Sequence, residues 1–413
     1  MEDVSIEVEA VTPIFIAGAD QRNIENEGLR APSLKGLLRW WFRAIMGEIL
    51  SVTDLRELES KVFGSTDQKS AVTVRTSVIK ALPKQIEEIY SSWRDAIVWS
   101  IYVDYFFFSC LDKRRDRKTG KIIVKSLLFY PEGSKFEITL TGREEELKIA
   151  LSSLWMLIYL GGIGFRLRRG CGSLTVKNIR GTTYDLDFIC TDSNKLEEFI
   201  RRNMSVIRNY VEKYIIKNKK KISPISISEH TTISPHNSAL FIGGEEDSWI
   251  SALNRIGEWY LGRRRGIKFI NGFRIKLADY NFSHNIKNAT YDGQYISSEN
   301  EKRPYLGLPI VYATYKATLT EEKFDRRASP LFFGVYKIGK NYIPRITIYK
   351  SIFLPEFAGN FKIEKKIRTN KKERKIILNA KQPNKNSFYG IIKKCYEDLK
   401  HSYNWKLIWG EIR

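Results

Sequence analysis

The order of predicted strands and helices in the first 180 residues is the feature that most constrains how this chain can fold. Residues in which apolar and polar side chains alternate predict strands over 5–16, 71–80, 134–142 and 173–179. Apolar residues at helical spacing predict one helix with Ser33 as its N-cap and another over 143–160. The resulting order, β-α-β-β-α-β, is the split βαβ or ferredoxin-like plan that RRM domains also use.

The rest of the chain repeats parts of this pattern. An amphipathic helix over 249–261, a hairpin over 331–353 and a last helix over 388–399 indicate a second α+β unit. Between the two units the pattern loosens around a lysine-rich run, so residues 181–234 are expected to be a junction. We therefore predict an α+β fold of two ferredoxin-like (RRM-like) domains with insertions, residues 1–180 and 235–413, with a cleft between them.

Three segments are expected to interrupt these domains. Residues 82–130 are predicted to insert a helix and a loop into the first domain. The basic segments 267–305 and 361–386 are expected to be insertions in the second domain, and 362–375 is predicted to be a mobile loop because it is polar and highly charged.

The charge of the chain points to a polyanionic partner. Of its 413 residues, 69 are Lys or Arg and 47 are Asp or Glu, which gives a net charge of +22. The first 180 residues hold 27 basic and 23 acidic side chains, whereas the remainder holds 42 and 24, so most of the positive field comes from the C-terminal part. No apolar run approaches the ~20 residues of a membrane span, and no signal peptide is recognised, so we expect a soluble, cytoplasmic protein and no membrane partner.

Residues 161–173 combine five glycines with three arginines, Arg166, Arg168 and Arg169. The segment has no terminal Gly-Lys-Ser/Thr as in a P-loop, and it follows a helix where a dinucleotide-binding motif follows a strand. Glycines such as Gly162, Gly164 and Gly170 allow close backbone approach, and arginines match phosphate. We predict a flexible, basic surface loop for a polyanion; the alternative, a helix C-cap followed by a solvated turn, explains one or two of the glycines.

The first helix places Lys35, Arg39 and Arg43 on one face at intervals of four residues. Such a stripe is more often a solvated face than a binding surface. Here it begins near a helix N-terminus at Ser33, where unpaired N–H groups and the helix dipole favour anions. The adjacent run Trp40–Phe42 is interpreted as core packing.

Cysteine and histidine residues give no metal-binding pattern. The four cysteines and four histidines lack zinc-ligand spacing, so we expect no metal, disulfide framework or other cofactor. His230 and His236 lie in a stretch rich in serine, threonine and proline. A catalytic role for them remains open, although a solvated loop histidine is the more common case.

Several of these motifs resemble those of one protein family. Thr12-Pro13 followed by Gly18, and then residues 31–43, are similar to the opening of the first subunit family of the type III-B CRISPR (Cmr) complex, which belongs to the RAMP superfamily. Residues 63–65 and 327–331 resemble later motifs of this family, and the glycine-rich segment lies where RAMP proteins carry theirs. The resemblance implies two ferredoxin-like domains, no nuclease centre, and a position near the crRNA 3′ region with crRNA, target single-stranded RNA and other Cmr/RAMP subunits as partners in a hetero-oligomeric complex.

The favoured function is therefore non-catalytic RNA binding in antiviral defence. The alternative enzyme is a RAMP-type CRISPR-repeat endoribonuclease, which usually carries a histidine in its first domain, whereas the first histidine here is His230. A basic protein-interaction scaffold is a third alternative. The residues predicted to bind RNA are Ser33, Lys35, Arg39, Arg43, Gly162, Gly164, Arg166, Arg168, Arg169, Gly170, Arg263, Arg264, Arg265, Arg326 and Arg327.

Overall fold

A computed structural model gives the arrangement of helices and strands. It describes every residue except 17–27, 225–226, 265–267, 271–272, 276–278, 297–305, 309, 313–315, 325, 353, 355–357, 370–371 and 381–384. The elements, in chain order, are β1 (Glu2–Ala10), α1 (Ala31–Met46), α2 (Val52–Phe63), β2 (Thr73–Lys80), β3 (Glu87–Tyr90), α3 (Ile101–Phe106), β4 (Leu111–Arg115), β5 (Ile122–Ser126), β6 (Lys135–Gly142), α4 (Glu144–Tyr159), β7 (Leu174–Arg180), α5 (Leu196–Lys217), β8 (Asn237–Gly243), α6 (Trp249–Arg264), β9 (Lys268–Ile270), β10 (Phe273–Ile275), α7 (Asp279–Asn288), β11 (Ile310–Tyr312), β12 (Ala317–Glu321), β13 (Leu331–Ile338), β14 (Asn341–Tyr349), β15 (Phe361–Thr369), β16 (Lys372–Ala380), α8 (Lys385–Lys400) and β17 (Trp405–Ile412).

The first ferredoxin-like unit is confirmed. Its antiparallel sheet has the strand order β2-β6-β1-β7, in which β1 pairs with β6 from Glu2↔Gly142 to Glu9↔Lys135 and with β7 on its other side. Alternate residues of β1 are buried because the sheet presents one face to α1 and α4, which pack against each other. The large fully buried side chains Trp41 and Trp155 fill this layer.

The second ferredoxin-like unit has the same topology. Its sheet has the order β13-β14-β8-β17, and all pairs are antiparallel. In chain order its core elements are β8, α6, β13, β14, α8 and β17, so the pattern β-α-β-β-α-β occurs twice. The predicted hairpin over 331–353 is confirmed as β13 and β14, with strand pairing from Leu331↔Ile348 to Ile338↔Asn341.

The segment predicted to be a loose junction contains the 22-residue helix α5. Its buried side chains, which include Ile200, Ile207 and Tyr214, recur at helical spacing, and the helix packs against α4 and β17. The sequence pattern did not predict this helix, because many charged residues lie on its exposed face and weaken the pattern. The helix thus contacts both domains.

Residues 82–130 form a small sheet with the order β3-β5-β4, and the short helix α3 lies between β3 and β4 in the sequence. We call them the insertion subdomain. Ala96, Leu111, Ile122 and Val124 form a separate small core beneath the sheet. The predicted helix is confirmed as α3, but the prediction that the rest of the segment is a loop is wrong, because it contains three strands of four and five residues, which are too short to leave a recognisable periodic pattern.

The second domain carries further strands. The β15–β16 hairpin pairs with β12 and β11 in a four-stranded sheet. The prediction of a mobile loop over 362–375 is therefore wrong for its described residues. Ile363, Ile376 and Leu378 are wholly buried, and Lys365 lies on the same face, where its Nζ donates to the carbonyls of Lys287 and Ala289 at 2.7 Å each. Glu364, Lys366 and Arg368 alternate with these residues and lie on the other face of the hairpin.

The two hydrophobic cores interlock. Phe332 and Tyr336 of β13 join the core of the first domain, whereas Phe15, Phe106 and Cys171 join the core of the second. The glycine-rich segment runs along this joint, because the N–H of Phe333 donates to the carbonyl of Arg168 at 3.3 Å. In the described part of the chain, none of the helices has the length and apolar character needed to cross a bilayer.

Candidate nucleic-acid interface

A cleft of about 830 Å³ opens between the two domains, and we call it the arginine cleft. Five parts of the chain line it: α1, the insertion subdomain, the glycine-rich segment, the residues around the start of β11 and the residues that lead into β13. Among the described residues that line it there is no aspartate or glutamate. The lining includes five arginines, namely Arg166, Arg168, Arg169, Arg326 and Arg327. The predicted cleft thus brings together two arginine-rich segments that are far apart in the sequence.

Arg168 lies beside two aromatic rings in this cleft. Its guanidinium carbon lies 4.8 Å from the ring centroid of Phe332 and 5.7 Å from that of Trp40, and these two rings stack on each other. Burial, with Arg169 nearby, lowers the pKa of Arg168 to about 10. Even so, Arg168 is charged at neutral pH. An anion that entered the cleft would offset the free-energy cost of burying this charge.

Arg326 and Arg327 complete the basic wall from the second domain. The guanidinium of Arg327 lies 4.7 Å from the ring centroid of Phe388, and its Nη1 donates to the carbonyl of Ala328 at 2.9 Å. Burial, followed by repulsion from Arg168, lowers the pKa of Arg327 to about 10. Arg326 is exposed. The neighbouring charge that most lowers the pKa of Arg327 is therefore a positive one.

Arg166 and Arg169 differ from Arg168 in what they bind. Arg166, with φ at 63°, donates from Nε and Nη2 to the carbonyl of Phe106 at 2.8 and 2.5 Å. Arg169 is buried, and its Nη2 donates to the carbonyl of Leu306 at 3.3 Å. These two arginines therefore connect the glycine-rich segment to the insertion subdomain and to the second domain.

The glycines are needed for packing within the protein. Gly172 has φ at 68°, and a Cβ there would lie 1.8 Å from the carbonyl oxygen of Ile163. Thr12 Oγ1 donates to the carbonyl of Gly170 at 2.7 Å and accepts from the N–H of Ser173 at 2.9 Å. The prediction of a surface loop is wrong for most of residues 161–173, because both ends of the segment are buried in the domain interface.

Arg345 fixes the start of the same segment. Its side chain is wholly buried, its Nη2 donates to the carbonyl of Gly161, and its guanidinium carbon lies 5.4 Å from the ring centroid of Tyr336. Burial lowers the pKa of this guanidinium. A residue of β14 thus holds the first glycine of a segment that belongs to the first domain.

The basic stripe of α1 does not line the cleft. Arg39 Nε and Arg43 Nε donate to the buried carboxylate of Glu59 at 2.5 Å each, and Arg43 Nη2 donates to it at 2.6 Å. Burial, with Arg39 nearby, lowers the pKa of Lys35. Ser33 is exposed and does not cap the helix, because α1 begins at Ala31 with Pro32 in its first turn.

The other predicted residues lie elsewhere. Arg263 and Arg264 end α6, but their side chains and all of Arg265 lie outside the described part, as does Gly18. His230 Nδ1 lies 3.0 Å from Ser228 Oγ and His236 Nδ1 lies 3.1 Å from Glu411 Oε1, and neither histidine lines the cleft. No group of three or more potential metal ligands is found among the residues that the structure describes.

Sequence reasoning missed the aromatic side chains of the cleft. The interpretation of Trp40–Phe42 as core packing is confirmed for Trp41 and Phe42, which are buried, whereas Trp40 is only partly buried and lines the cleft with Phe332 and Phe108. The clustering of Trp and Phe with Arg in separate segments was a usable signal, but only the fold brings these segments together.

Comparisons with known proteins agree with this architecture. Residues 7–175 match the sequence model of the RAMP superfamily. The CRISPR system Cmr subunit Cmr1-2 of Pyrococcus furiosus is 48% identical over 186 residues, which span 44% of this chain and 98% of that protein. Cmr1-1 of the same organism is 28% identical over 371 residues, 88% of this chain and 92% of that protein. The crystal structure of apo Cmr1 from Pyrococcus furiosus has a similar fold, with a TM-score of 0.54, 22% identity and 99% of each chain covered.

Proposed function

Because the chain belongs to the Cmr1 family of the RAMP superfamily, we propose that it is an RNA-binding subunit of a type III-B CRISPR (Cmr) effector complex. In this proposal it holds crRNA and target single-stranded RNA near the crRNA 3′ region, beside other Cmr subunits, in antiviral defence. Family membership supports the proposal that the protein is part of a Cmr complex, and the arginine cleft supports the proposal that it binds RNA.

One observation carries the RNA-binding proposal. The cleft holds five arginines without a lining carboxylate among its described residues, and aromatic rings lie beside the central one, Arg168. Arginine neutralises phosphate, and aromatic rings stack on unpaired bases. A groove with both features reads the backbone and the faces of bases, so we expect weak sequence preference. Base pairing to a guide would supply the sequence specificity.

We test the cleft with the variant Arg168→Ala. Removing one phosphate contact should weaken binding of a fluorescent oligouridine about tenfold and reduce the slope of log affinity against log salt by about 0.7. Arg208→Ala is the matched control, because this exposed arginine on α5 pairs with Glu212 outside the cleft. Equal RNA affinities for the two variants would contradict the assignment. Binding that does not respond to salt would favour a protein scaffold instead.

We propose further that the protein binds RNA without cleaving it. General acid–base cleavage requires a proton-transfer group within reach of the bound strand. The two histidines considered as catalytic groups, His230 and His236, are hydrogen-bonded to Ser228 and Glu411 outside the cleft. End-labelled RNA incubated with Mg²⁺ or Mn²⁺ should stay intact. Discrete products that disappear when either histidine is changed to alanine would restore the endoribonuclease alternative.

A further inference from the structure

The β4–β5 hairpin of the insertion subdomain carries a dense group of basic side chains at its tip. Five exposed cations lie there within eight residues, namely Arg114, Arg115, Arg117, Lys118 and Lys121. The single acid among them, Asp116, accepts hydrogen bonds from the N–H groups of Lys118 and Thr119 at 2.7 and 2.9 Å. These bonds hold the pKa of Asp116 below its usual value. Its carboxylate therefore closes the turn, and the tip keeps a strong positive charge.

An exposed tryptophan lies at the same end of this sheet. Tyr90, the last residue of β3, and Arg115, the last residue of β4, both lie opposite Ile122 on the central strand β5. The chain therefore leaves β3 and β4 at one edge, and the turn after β3 contains Trp93 and Arg94. The side chain of Trp93 is 51% exposed. Cations next to an exposed aromatic ring are the combination that binds single-stranded nucleic acid.

Three nearby carboxylates contact other groups. Asp104 accepts from Lys113 Nζ at 2.8 Å, and Glu87 lies 3.2 Å from Lys125 Nζ. Asp95 accepts from Ser92 Oγ at 2.8 Å. Within the described residues, no ion pair joins a carboxylate to any of the five tip cations. These cations can therefore interact with an external anion without first breaking an internal ion pair.

The base of the hairpin lies next to the arginine cleft. Strand β4 starts directly after the single helical turn Phe108–Cys110, and Phe108 lines the cleft. The subdomain is anchored to α6, because Ser100 Oγ lies 2.6 Å from Asn254 Oδ1. At ~3.3 Å per residue, β4 extends the tip about 15 Å from its base. A single strand longer than the few nucleotides that fill the cleft can reach this tip.

We propose that the surface formed by Trp93, Arg94 and the hairpin tip, residues 114–121, is a second binding surface for single-stranded RNA. It takes the part of the strand that extends beyond the arginine cleft. Trp93 stacks on an unpaired base, and the arginines and lysines neutralise the neighbouring phosphates. The proposal rests on the RNA-binding function proposed above, because it assumes that the cleft ligand is RNA.

The test compares two lengths of oligouridine, about 4 and about 20 nucleotides, the shorter being near the minimum site size of single-strand binders. The hairpin variant replaces Arg114, Arg115 and Arg117 with glutamine. It should bind the long RNA at least about tenfold more weakly, reduce its salt slope by about 2, and bind the short RNA normally. The matched control removes three charges from exposed lysines in the last turns of α5 and just after it, as Lys213→Gln, Lys219→Gln and Lys221→Gln. The control should bind both the short and the long RNA within about twofold of the wild-type affinity, because distant charges have only a weak, screened effect.

Two further variants complete the test. Trp93→Ala should weaken binding of the long RNA about fivefold or more, the effect of losing one stacked base. Arg168→Ala should weaken binding of both lengths. A correctly folded hairpin variant with unchanged affinity and salt slope for the long RNA overturns the proposal. If the hairpin variant loses affinity while Arg168→Ala does not, the hairpin binds RNA but the cleft does not, which overturns the proposal that the hairpin takes the continuation of a strand held in the cleft. A hairpin variant that binds RNA normally but no longer joins neighbouring subunits would show a protein-docking surface, which also overturns the proposal.

Discussion

Changing Glu59 to glutamine should destabilise the first domain by breaking the ion-pair network between α1 and α2. The carboxylate of Glu59 is 4% exposed and accepts from Arg39 and Arg43 in three hydrogen bonds of 2.5 to 2.6 Å. Burial raises the pKa of Glu59, but the hydrogen bonds from Arg43 and then Arg39 outweigh it and hold the pKa below its usual value. The network therefore stabilises the folded protein only when Glu59 is ionised.

The size of the effect follows from this geometry. A hydrogen bond to a charged group contributes about 1.5–3 kcal/mol to the free energy of unfolding. The side chains of Arg39 and Arg43 are 33% and 48% exposed, so water replaces part of what they lose, and glutamine keeps one acceptor oxygen. We therefore expect Glu59→Gln to lower the free energy of unfolding by about 2 kcal/mol at pH 7.

Urea unfolding at several pH values checks this reasoning. Because the folded pKa of Glu59 is depressed, its contribution is fully present above the unfolded pKa of about 4.3 and is lost as pH falls through the folded value. The stability difference between wild type and variant should therefore shrink in acid. Glu57→Gln is the control, since Glu57 on the same helix is 62% exposed and pairs with Lys220, and it should change stability by less than about 0.5 kcal/mol. A Glu59→Gln deficit below that value, or one that stays constant down to pH 3, would refute the argument.

Two further predictions concern the glycine-rich segment. Gly172→Ala should lower the free energy of unfolding by about 3 kcal/mol or more, because φ at 68° and the carbonyl of Ile163 leave no room for a Cβ. Gly36→Ala in α1, where space is open, should instead raise the free energy of unfolding by up to about 1 kcal/mol. Thermal unfolding of the two variants measures both effects, and similar values would contradict them. Thr12→Val should cost about 1–3 kcal/mol in urea unfolding, because it leaves the buried carbonyl of Gly170 unpaired, and Thr12→Ser should restore most of the loss; equal losses for both would show that packing, not the hydrogen bond, matters.

The parts of the fold that could be predicted are those specified by local patterns. The alternating residues of β1, the short apolar runs of β13 and β14 and the apolar residues at helical spacing in α4 each indicate an element without knowledge of the rest of the chain. Helix α5 and the β15–β16 hairpin were missed because their exposed faces are so rich in charge that composition outweighed the periodicity of the buried residues.

The candidate site could be predicted only in part. Arg168, Arg326 and Arg327 were recognised, because dense arginine next to glycine or proline is visible in the sequence. The stacking of Arg168 on Phe332 joins residues far apart in the chain, and sequence reasoning had no means to find it. Arg39 and Arg43 were predicted to bind RNA but do not line the cleft. The sequence could not show this, because the carboxylate of Glu59 that binds them lies on a different helix.

The bond from Arg345 to Gly161 has a consequence for synthesis on the ribosome. The two residues are 184 positions apart, so at a translation rate of ~5–20 residues per second the glycine-rich segment emerges about 10–40 s before the side chain that fixes its first carbonyl. The first sheet can form during this interval, since all four of its strands have already been made. The arginine cleft is therefore completed late, and a nascent chain cannot capture RNA in it until the second domain has been translated and has docked.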